Sequence, residues 1–166
     1  LTGAAVGNYM DKQQAKLERQ LAAERRNNDI QLVRVDKDTL RLDVSSEASF
    51  AVNSANVQAG FMQSLNKMSS IIAEYNSTAV HIIGHTDSTG TKSYNQSLSL
   101  KRANEVTRLF GRSGVDRSRL RPAGRGENLP VASNASSAGR SKNRRVEIYL
   151  KAIVEGRESQ AFHPPI

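Results

Sequence analysis

The segment at residues 78–112 constrains the chain more strongly than any other. It joins a short apolar strand, the acidic loop GHTDSTG (residues 84–90) and a helix in which Arg102 takes a position expected of a core residue. The carboxylate of Asp87 and the guanidinium of Arg102 are therefore expected to face a common cleft. Such a cleft suits a small zwitterion better than it suits a packed core.

Arg102 lies on the inward face of this predicted helix. At about 100° per residue the apolar side chains fill an arc of roughly 140°, and Asn95, Ser99 and Arg102 fall inside it. A buried guanidinium without a partner is strongly unfavourable. Two explanations stay open. Either Arg102 pairs with Asp87 or a carbonyl and ties the loop to the helix, or both charges stay partly free and bind a ligand.

Side-chain periodicity predicts the remaining elements of the fold. Apolar and polar residues alternate, or β-branched residues cluster, where strands are expected, and apolar spacings of three and four indicate helices. Residues 50–52 are expected to continue the sheet edge and residues 124–143 to form a loop. The strands are expected at residues 30–35, 39–44, 79–83, 120–123 and 145–151, the first two as a hairpin, and the helices at residues 57–75 and 93–112.

Signals at both ends delimit the second helix. Ser93 with Gln96 three residues later forms a capping box, so the helix is expected to begin at Ser93. Gly111 and Gly114 predict its end, because glycine readily takes the conformation that terminates a helix.

The length of 166 residues predicts a single domain with an additional segment at each end. Residues 1–28 are interpreted as a small-residue segment, disordered over its first seven residues, followed by a charged, solvent-facing helix or linker. Residues 29–152 form the predicted domain. Residues 153–166 lack periodicity and are expected to form a flexible tail.

Composition excludes several classes of protein. The absence of cysteine excludes disulfides, thiolate metal sites and a cysteine nucleophile. No apolar run is long enough to span a bilayer, and no serine lies in a nucleophile elbow. The net charge of +8 raises the question of nucleic acid. The basic residues are scattered and do not interleave with aromatic residues, so we expect a solvated basic surface and no nucleic-acid partner.

A metal site is not expected, although His81 precedes the acidic loop and His85 lies within it. His81 and His85 would lie about 13 Å apart on one strand, too far to share an ion. His85 and Asp87 have no third ligand in view. A structural role for His85, which would fix the turn through hydrogen bonds, is favoured.

Four ordered blocks carry a family resemblance. They resemble the OmpA-like peptidoglycan-binding domain, and the resemblance covers about residues 40–151. With the small-residue N-terminal segment, the chain looks most like outer-membrane lipoproteins that have a glycine-rich segment before this domain. The blocks are GHTDSTG at 84–90, NQSLSLKRANEV at 95–106, GRGENLPVASN at 124–134 and GRSKNRRVEI at 139–148.

The resemblance implies an α/β (α+β) fold, a βαβαβ core with an additional strand, whose mixed sheet is covered on one face by helices. It implies no enzymatic activity and no cofactor. It also implies non-covalent binding of peptidoglycan through the diaminopimelate residue of the stem peptide. Such binding would anchor the outer membrane to the cell wall from its periplasmic side in a Gram-negative cell, through a membrane anchor outside this chain.

The resemblance also implies the ligand-binding residues. Asp87 and Arg102 match the pair that the family uses for the ammonium and carboxylate groups of diaminopimelate. Further pocket positions are matched by Asn53, Thr89, Asn95, Leu98 and Arg145.

One departure from the family pattern qualifies this interpretation. The family often has Asp directly after the aromatic residue before the first helix, where this chain has Ala51 and then Val52, so the loop is expected to bind less tightly or to differ in shape.

An alternative function is a cell-envelope scaffold or signalling protein whose terminal segments recruit a protein partner or a second copy. A cell-wall hydrolase using His85 and Asp87 is a third hypothesis.

Overall fold

Five strands form one mixed sheet in the order β1-β2-β5-β3-β4. The computed structural model describes residues 1–166. Neighbouring strands are antiparallel except β3 and β4, which are parallel and joined by a helical crossover. The strands are β1 (Ile30–Asp36), β2 (Thr39–Ser45), β3 (Thr78–His85), β4 (Leu120–Gly124) and β5 (Arg145–Ala152). This arrangement confirms the predicted fold class and the predicted hairpin.

Three long helices cover one face of the sheet, and four short helices lie in the connections. The helices are α1 (Val6–Gln20), α2 (Ala22–Arg26), α3 (Ser46–Ser49), α4 (Ala59–Glu74), α5 (Lys92–Arg112), α6 (Ser137–Asn143) and α7 (Glu158–Ala161). Alternate residues of β2, β3 and β5 point toward α1, α4 and α5, and together they form a core of 26 buried hydrophobic residues. No helix has the length and apolar character needed to cross a membrane.

The start of α5 differs from the prediction. The N-cap is Thr91, whose hydroxyl accepts a hydrogen bond from the Tyr94 amide, so Ser93 lies inside the helix. Thr91 and Ser93 are both good caps, and the sequence alone does not decide between them. The end agrees with the prediction, because Gly114 has a φ of 102° just beyond the last turn.

The expectation of a solvent-facing N-terminal helix is wrong. Val6, Met10, Leu17 and Leu21 lie in the core, and none is more than 3% exposed. The buried Gln13 occupies the same stripe and interrupts its apolar pattern in the sequence. The apolar stripe is therefore too weak in the sequence to predict a packed helix.

Both chain ends pack against the domain, so the expected disordered start and loose tail are also corrected. The Leu1 nitrogen donates a hydrogen bond to the Ile153 carbonyl at 3.1 Å, and the Glu155 amide donates to the Leu1 carbonyl at 2.8 Å. Farther along, the Ala161 carbonyl contacts His81 Nε2 at 2.8 Å on the sheet face opposite the long helices. The boundaries after residues 28 and 152 stay predictions.

Two connections also differ from expectation. The loop predicted at residues 124–143 ends in the short helix α6. Residues 50–52 do not extend the sheet, and Phe50 forms only an isolated bridge with Val57. That bridge closes a small loop over the end of the sheet, and this loop forms part of one wall of the pocket described below.

The guanidinium of Arg119 ties the end of α4 to the start of β3. It is 6% exposed and donates to the carbonyls of Ile72, Tyr75 and Thr78 and to the Thr78 hydroxyl, at 2.8 to 3.0 Å. These acceptors include helix-terminal carbonyls that have no partner within α4. The planar fork of an arginine matches them in a way that a single ammonium cannot.

Arg119→Lys is therefore expected to lower the free energy of unfolding by roughly 2 to 4 kcal/mol, because several buried carbonyls lose their donor. Urea denaturation monitored by circular dichroism measures the effect. Exposed Arg117→Lys serves as the control and should change stability by less than about 0.5 kcal/mol. Equal stability of the two variants would contradict the structural role of Arg119.

Acidification below about pH 6.5 is expected to destabilise the fold through two buried histidines. Burial lowers the pKa of His81, and burial also lowers the pKa of His85 despite the opposing effect of its hydrogen bond to the Glu147 carboxylate. Below about pH 6.5 the unfolded chain therefore binds protons that the native state does not. The free energy of unfolding should fall between about pH 6.5 and 5, with a slope of up to about 1.4 kcal/mol per pH unit for each histidine.

Urea denaturation at several pH values tests this expectation. His81→Asn should reduce the slope, whereas the same substitution at the exposed His163 provides the matched comparison. Stability that is constant across this range in the unaltered chain would contradict the assignment.

Candidate functional site

A polar pocket of about 470 Å³ lies beyond the end of β3, beside the acidic loop. Its walls come from the β2–α4 connection, the β3–α5 loop, the first turns of α5 and the region around α6. The lining residues are Ser46, Glu47, Phe50, Val52, Asn53, Gln58, Thr86, Asp87, Thr89, Tyr94, Asn95, Leu98, Arg102, Arg140 and Arg144.

Two glycines bring α5 onto the sheet and so place one wall of the pocket. Gly84 and Gly124 are register partners on β3 and β4. A Cβ atom on Gly84 would lie 2.1 Å from the Ser99 carbonyl oxygen, and one on Gly124 would lie 2.6 Å from the Leu100 nitrogen. Only residues without a side chain allow this approach, which sets Asn95, Leu98 and Arg102 of α5 above the strand ends.

Asp87 is held as a carboxylate by its neighbours. It is 7% exposed, accepts from the Thr89 amide at 2.8 Å, and accepts from Nη1 of Arg144 at 2.5 Å. Burial alone would raise the pKa of Asp87, but the hydrogen bonds from Thr89 and Arg144 outweigh it, and the pKa is lowered. Asp87 therefore contributes a negative charge to the pocket at neutral pH.

Arg102 is buried without a carboxylate partner. It is 6% exposed, its Nε donates to the Ser54 carbonyl at 2.8 Å, and its guanidinium lies 5.0 Å from the ring centroid of Phe50. Burial lowers the pKa of Arg102, although an arginine stays protonated. Of the two explanations left open by the sequence, pairing of Arg102 with Asp87 is wrong, and a carbonyl tie is present.

The guanidinium of Arg102 keeps part of its hydrogen-bonding capacity. Nη2 makes only a long contact of 3.5 Å to the Ala51 carbonyl, and Nη1 has no partner within the protein. Nη1 is also not fully buried. The guanidinium therefore has donors left for an acceptor in the pocket.

The remaining predicted site residues divide into those that line the pocket and one that does not. Asn53, Thr89, Asn95 and Leu98 line it together with Asp87 and Arg102. Asn95 donates to the carbonyls of Asp87 and Thr89 at 3.2 and 3.1 Å, so its amide fixes the acidic loop. Asn53 has a φ of 54°, a backbone conformation that asparagine tolerates better than most residues.

Arg145 is the predicted residue that lies outside the pocket. It is the first residue of β5, and its side chain points to the sheet face opposite the long helices. Its guanidinium donates to the carbonyls of Asn143 and Leu129 at 3.1 and 3.0 Å. The adjacent Arg144 faces the pocket in its place, because consecutive residues at a strand end point to opposite sides.

The sequence prediction missed several lining residues, of which Glu47, Arg140 and Arg144 are charged. The sequence does contain a signal for Arg144. Val146, Ile148 and Leu150 mark the helix-facing side of β5, and alternation therefore assigns Arg145 to the other side. Glu47 and Arg140 lie in short helices that carry no periodic signal, and the sequence offered no means to find them.

No group of three or more metal-ligating side chains occurs in the protein. His85 Nε2 lies 2.6 Å from the Glu147 carboxylate, and both residues are buried. This pair leaves His85 engaged in a structural contact on the far side of the sheet from the pocket. Asp87 points into the pocket instead, so the two residues do not form a common site.

Comparison with known proteins identifies relatives. Residues 49–144 match the OmpA family. The probable lipoprotein YiaD of Escherichia coli (strain K12) is 37% identical over 151 residues, which are 91% of this chain and 67% of YiaD. The chain also matches outer membrane porins but spans only about a third of their length, 33% in the case of porin F from Pseudomonas fluorescens.

Solved structures with similar folds include two with related sequences. The cell wall anchor of the T6SS from Pseudomonas aeruginosa has a TM-score of 0.75 and 32% identity, covering 84% of this chain and 99% of that chain. The peptidoglycan-associated lipoprotein from Burkholderia pseudomallei has a TM-score of 0.58 and 28% identity, covering 63% and 88%.

Gly84→Ala is expected to push α5 away from β3 and to lower the free energy of unfolding by about 1 to 3 kcal/mol, as overpacking does. Gly60→Ala is the control, because Gly60 lies in α4 with no atom within 4 Å of an added Cβ. That control should stabilise the protein by about 0.5 to 1 kcal/mol. Urea denaturation distinguishes the two, and a stabilising Gly84→Ala would refute the close-approach argument.

Proposed function

Because the chain belongs to the OmpA family, a non-enzymatic family of peptidoglycan-binding domains, we propose that its pocket binds the diaminopimelate residue of the peptidoglycan stem peptide. The observation that carries the proposal is a buried carboxylate and a buried guanidinium that face one pocket and are not paired with each other. That arrangement is complementary to the ammonium and carboxylate of a free amino-acid end.

Each charged group has a role in this proposal. Asp87 accepts from the ligand ammonium, and Arg102 donates to the ligand carboxylate from the side of its guanidinium that the protein leaves unused. Asn53, Thr89, Asn95 and Leu98 shape the pocket around the ligand. Arg145 is left out of this set, since it does not line the pocket and its Nη1 and Nη2 donate to backbone carbonyls.

The expected affinity of one site is modest. A charge-assisted hydrogen bond contributes about 1.5 to 3 kcal/mol after desolvation, so two such interactions correspond to micromolar binding or weaker. Attachment to a polymer with many stem peptides, through many membrane-tethered copies, would be far more durable than one contact. Non-covalent anchoring is therefore the mechanism that we propose.

The relatives support the location that we propose. A lipoprotein relative and a cell wall anchor are consistent with a domain on the periplasmic side of a Gram-negative outer membrane, tethered through an anchor outside this chain. The similarity to the cell wall anchor of the T6SS is also compatible with the alternative function as a scaffold. That alternative is less well supported, because both terminal segments that would recruit a partner pack on the domain.

Sedimentation with purified sacculi tests the proposal. Asp87→Asn and Arg102→Gln should each weaken binding at least about tenfold, because each loses one charged interaction. Their circular dichroism spectra should match that of the unaltered chain. Lys101→Gln is the matched control for charge, since Lys101 is exposed on the same helix, and it should sediment normally.

Other outcomes would contradict the proposal. Undiminished sedimentation of both site variants would place peptidoglycan binding elsewhere. Release of soluble fragments from the sacculi would instead support the hydrolase hypothesis.

A further inference from the structure

Arg144 bridges two carboxylates at the mouth of the pocket. Its Nη1 donates to Oδ2 of Asp87 at 2.5 Å, and its Nη2 donates to a carboxylate oxygen of Glu47. The side chains of Asp87, Arg144 and Glu47 are 10%, 29% and 55% exposed, so the bridge runs from the pocket floor to its rim. Burial lowers the pKa of Arg144, but the two carboxylates outweigh it and raise the pKa.

This bridge occupies the group that the ligand needs. One oxygen of Asp87 accepts from the Thr89 amide and the other from Arg144. An incoming ammonium must share or replace the contact with Arg144. Because a guanidinium cannot release its proton, Arg144 has to keep a compensating charge when it moves away from Asp87.

We propose that Glu47 is a positioning residue, an inference that rests on the proposed function. Glu47 holds Arg144 when Asp87 exchanges its contact with Arg144 for a contact with the ligand ammonium. In the free protein Arg144 is shared between the two carboxylates. In the complex it is held by Glu47 alone. Glu47 therefore lowers the energetic cost of exposing Asp87 and makes the site more selective for a cationic group.

The local structure supports this role. Helix α3 is capped by the Ser45 hydroxyl, which accepts from the Ala48 amide. The side chain of Gln58 donates to the Glu47 carbonyl at 3.0 Å and to the Phe50 carbonyl at 2.7 Å, which fixes the backbone of Glu47 against the pocket wall. The Glu47 carboxylate is left with Arg144 as its hydrogen-bond partner.

Other charged residues of the pocket do not duplicate this arrangement. Arg140 donates to the Asn134 carbonyl and makes no ion pair. Arg102 likewise has no carboxylate within salt-bridge distance, whereas Arg144 pairs with both acids of the pocket. Ala51 lies in the same connection as Glu47 and contributes no charge, so Glu47 is the only carboxylate from that wall.

The test is a double-mutant cycle with meso-diaminopimelate measured by calorimetry. Glu47→Gln is expected to weaken binding about fivefold, the upper range for an exposed ion pair. In an Arg144→Gln background the same substitution should have no further effect, because Glu47 acts through Arg144. Glu105→Gln, which breaks a comparably exposed pair with Arg108 on α5, is the control and should bind normally.

A spectroscopic measurement separates positioning from a general structural effect. The side-chain ¹⁵N resonance of Arg144 should shift when meso-diaminopimelate is added to the unaltered chain, and that shift should change in Glu47→Gln. Unchanged affinity of Glu47→Gln, or an equal loss in the Arg144→Gln background, would overturn the inference. Failure of the unaltered chain to bind either meso-diaminopimelate or sacculi would overturn the proposed function instead.

Discussion

The close approach of α5 to β3 and β4 is the constraint on which the site depends. Ser99 and Leu100 lie so near Gly84 and Gly124 that no side chain fits between helix and sheet. This contact fixes the height and rotation of the helix, so the polar stripe on its first turns is set over the strand ends. The pocket is thus a consequence of backbone packing, which sets a rigid helix beside the acidic loop.

A second feature of the site is that its two buried charges, Arg102 and Asp87, are stabilised by other groups and not by each other. Arg102 is held by a carbonyl and an aromatic ring, and Asp87 by an amide and by Arg144. A direct pair between Asp87 and Arg102 would be satisfied and closed. Separate support costs stability, since ions are poorly solvated in the interior, but it leaves two complementary charges that face one pocket and are not paired with each other.

Most of the fold and much of the pocket could be predicted because the relevant signals are local. Alternation located the strands, spacings of three and four located the helices, and the blocks around Asp87 and Arg102 indicated residues that do line one pocket. The errors arose where a signal is non-local. Burial of α1 depends on a stripe interrupted by Gln13, and the docking of the tail depends on single contacts such as that of His81 with Ala161. The family resemblance indicates Arg145, whereas strand alternation places Arg144 on the pocket side.

A site with an internal counter-ion also suits the attachment that we propose. A vacant, unpaired Asp87 would be costly to bury, whereas one paired with Arg144 is stable without a ligand. The ligand must then compete with that pair, which limits the affinity of a single site and lets individual contacts dissociate. Weak contacts that exchange are compatible with a wall polymer that is met at many places, because the whole array stays attached while its members rebind.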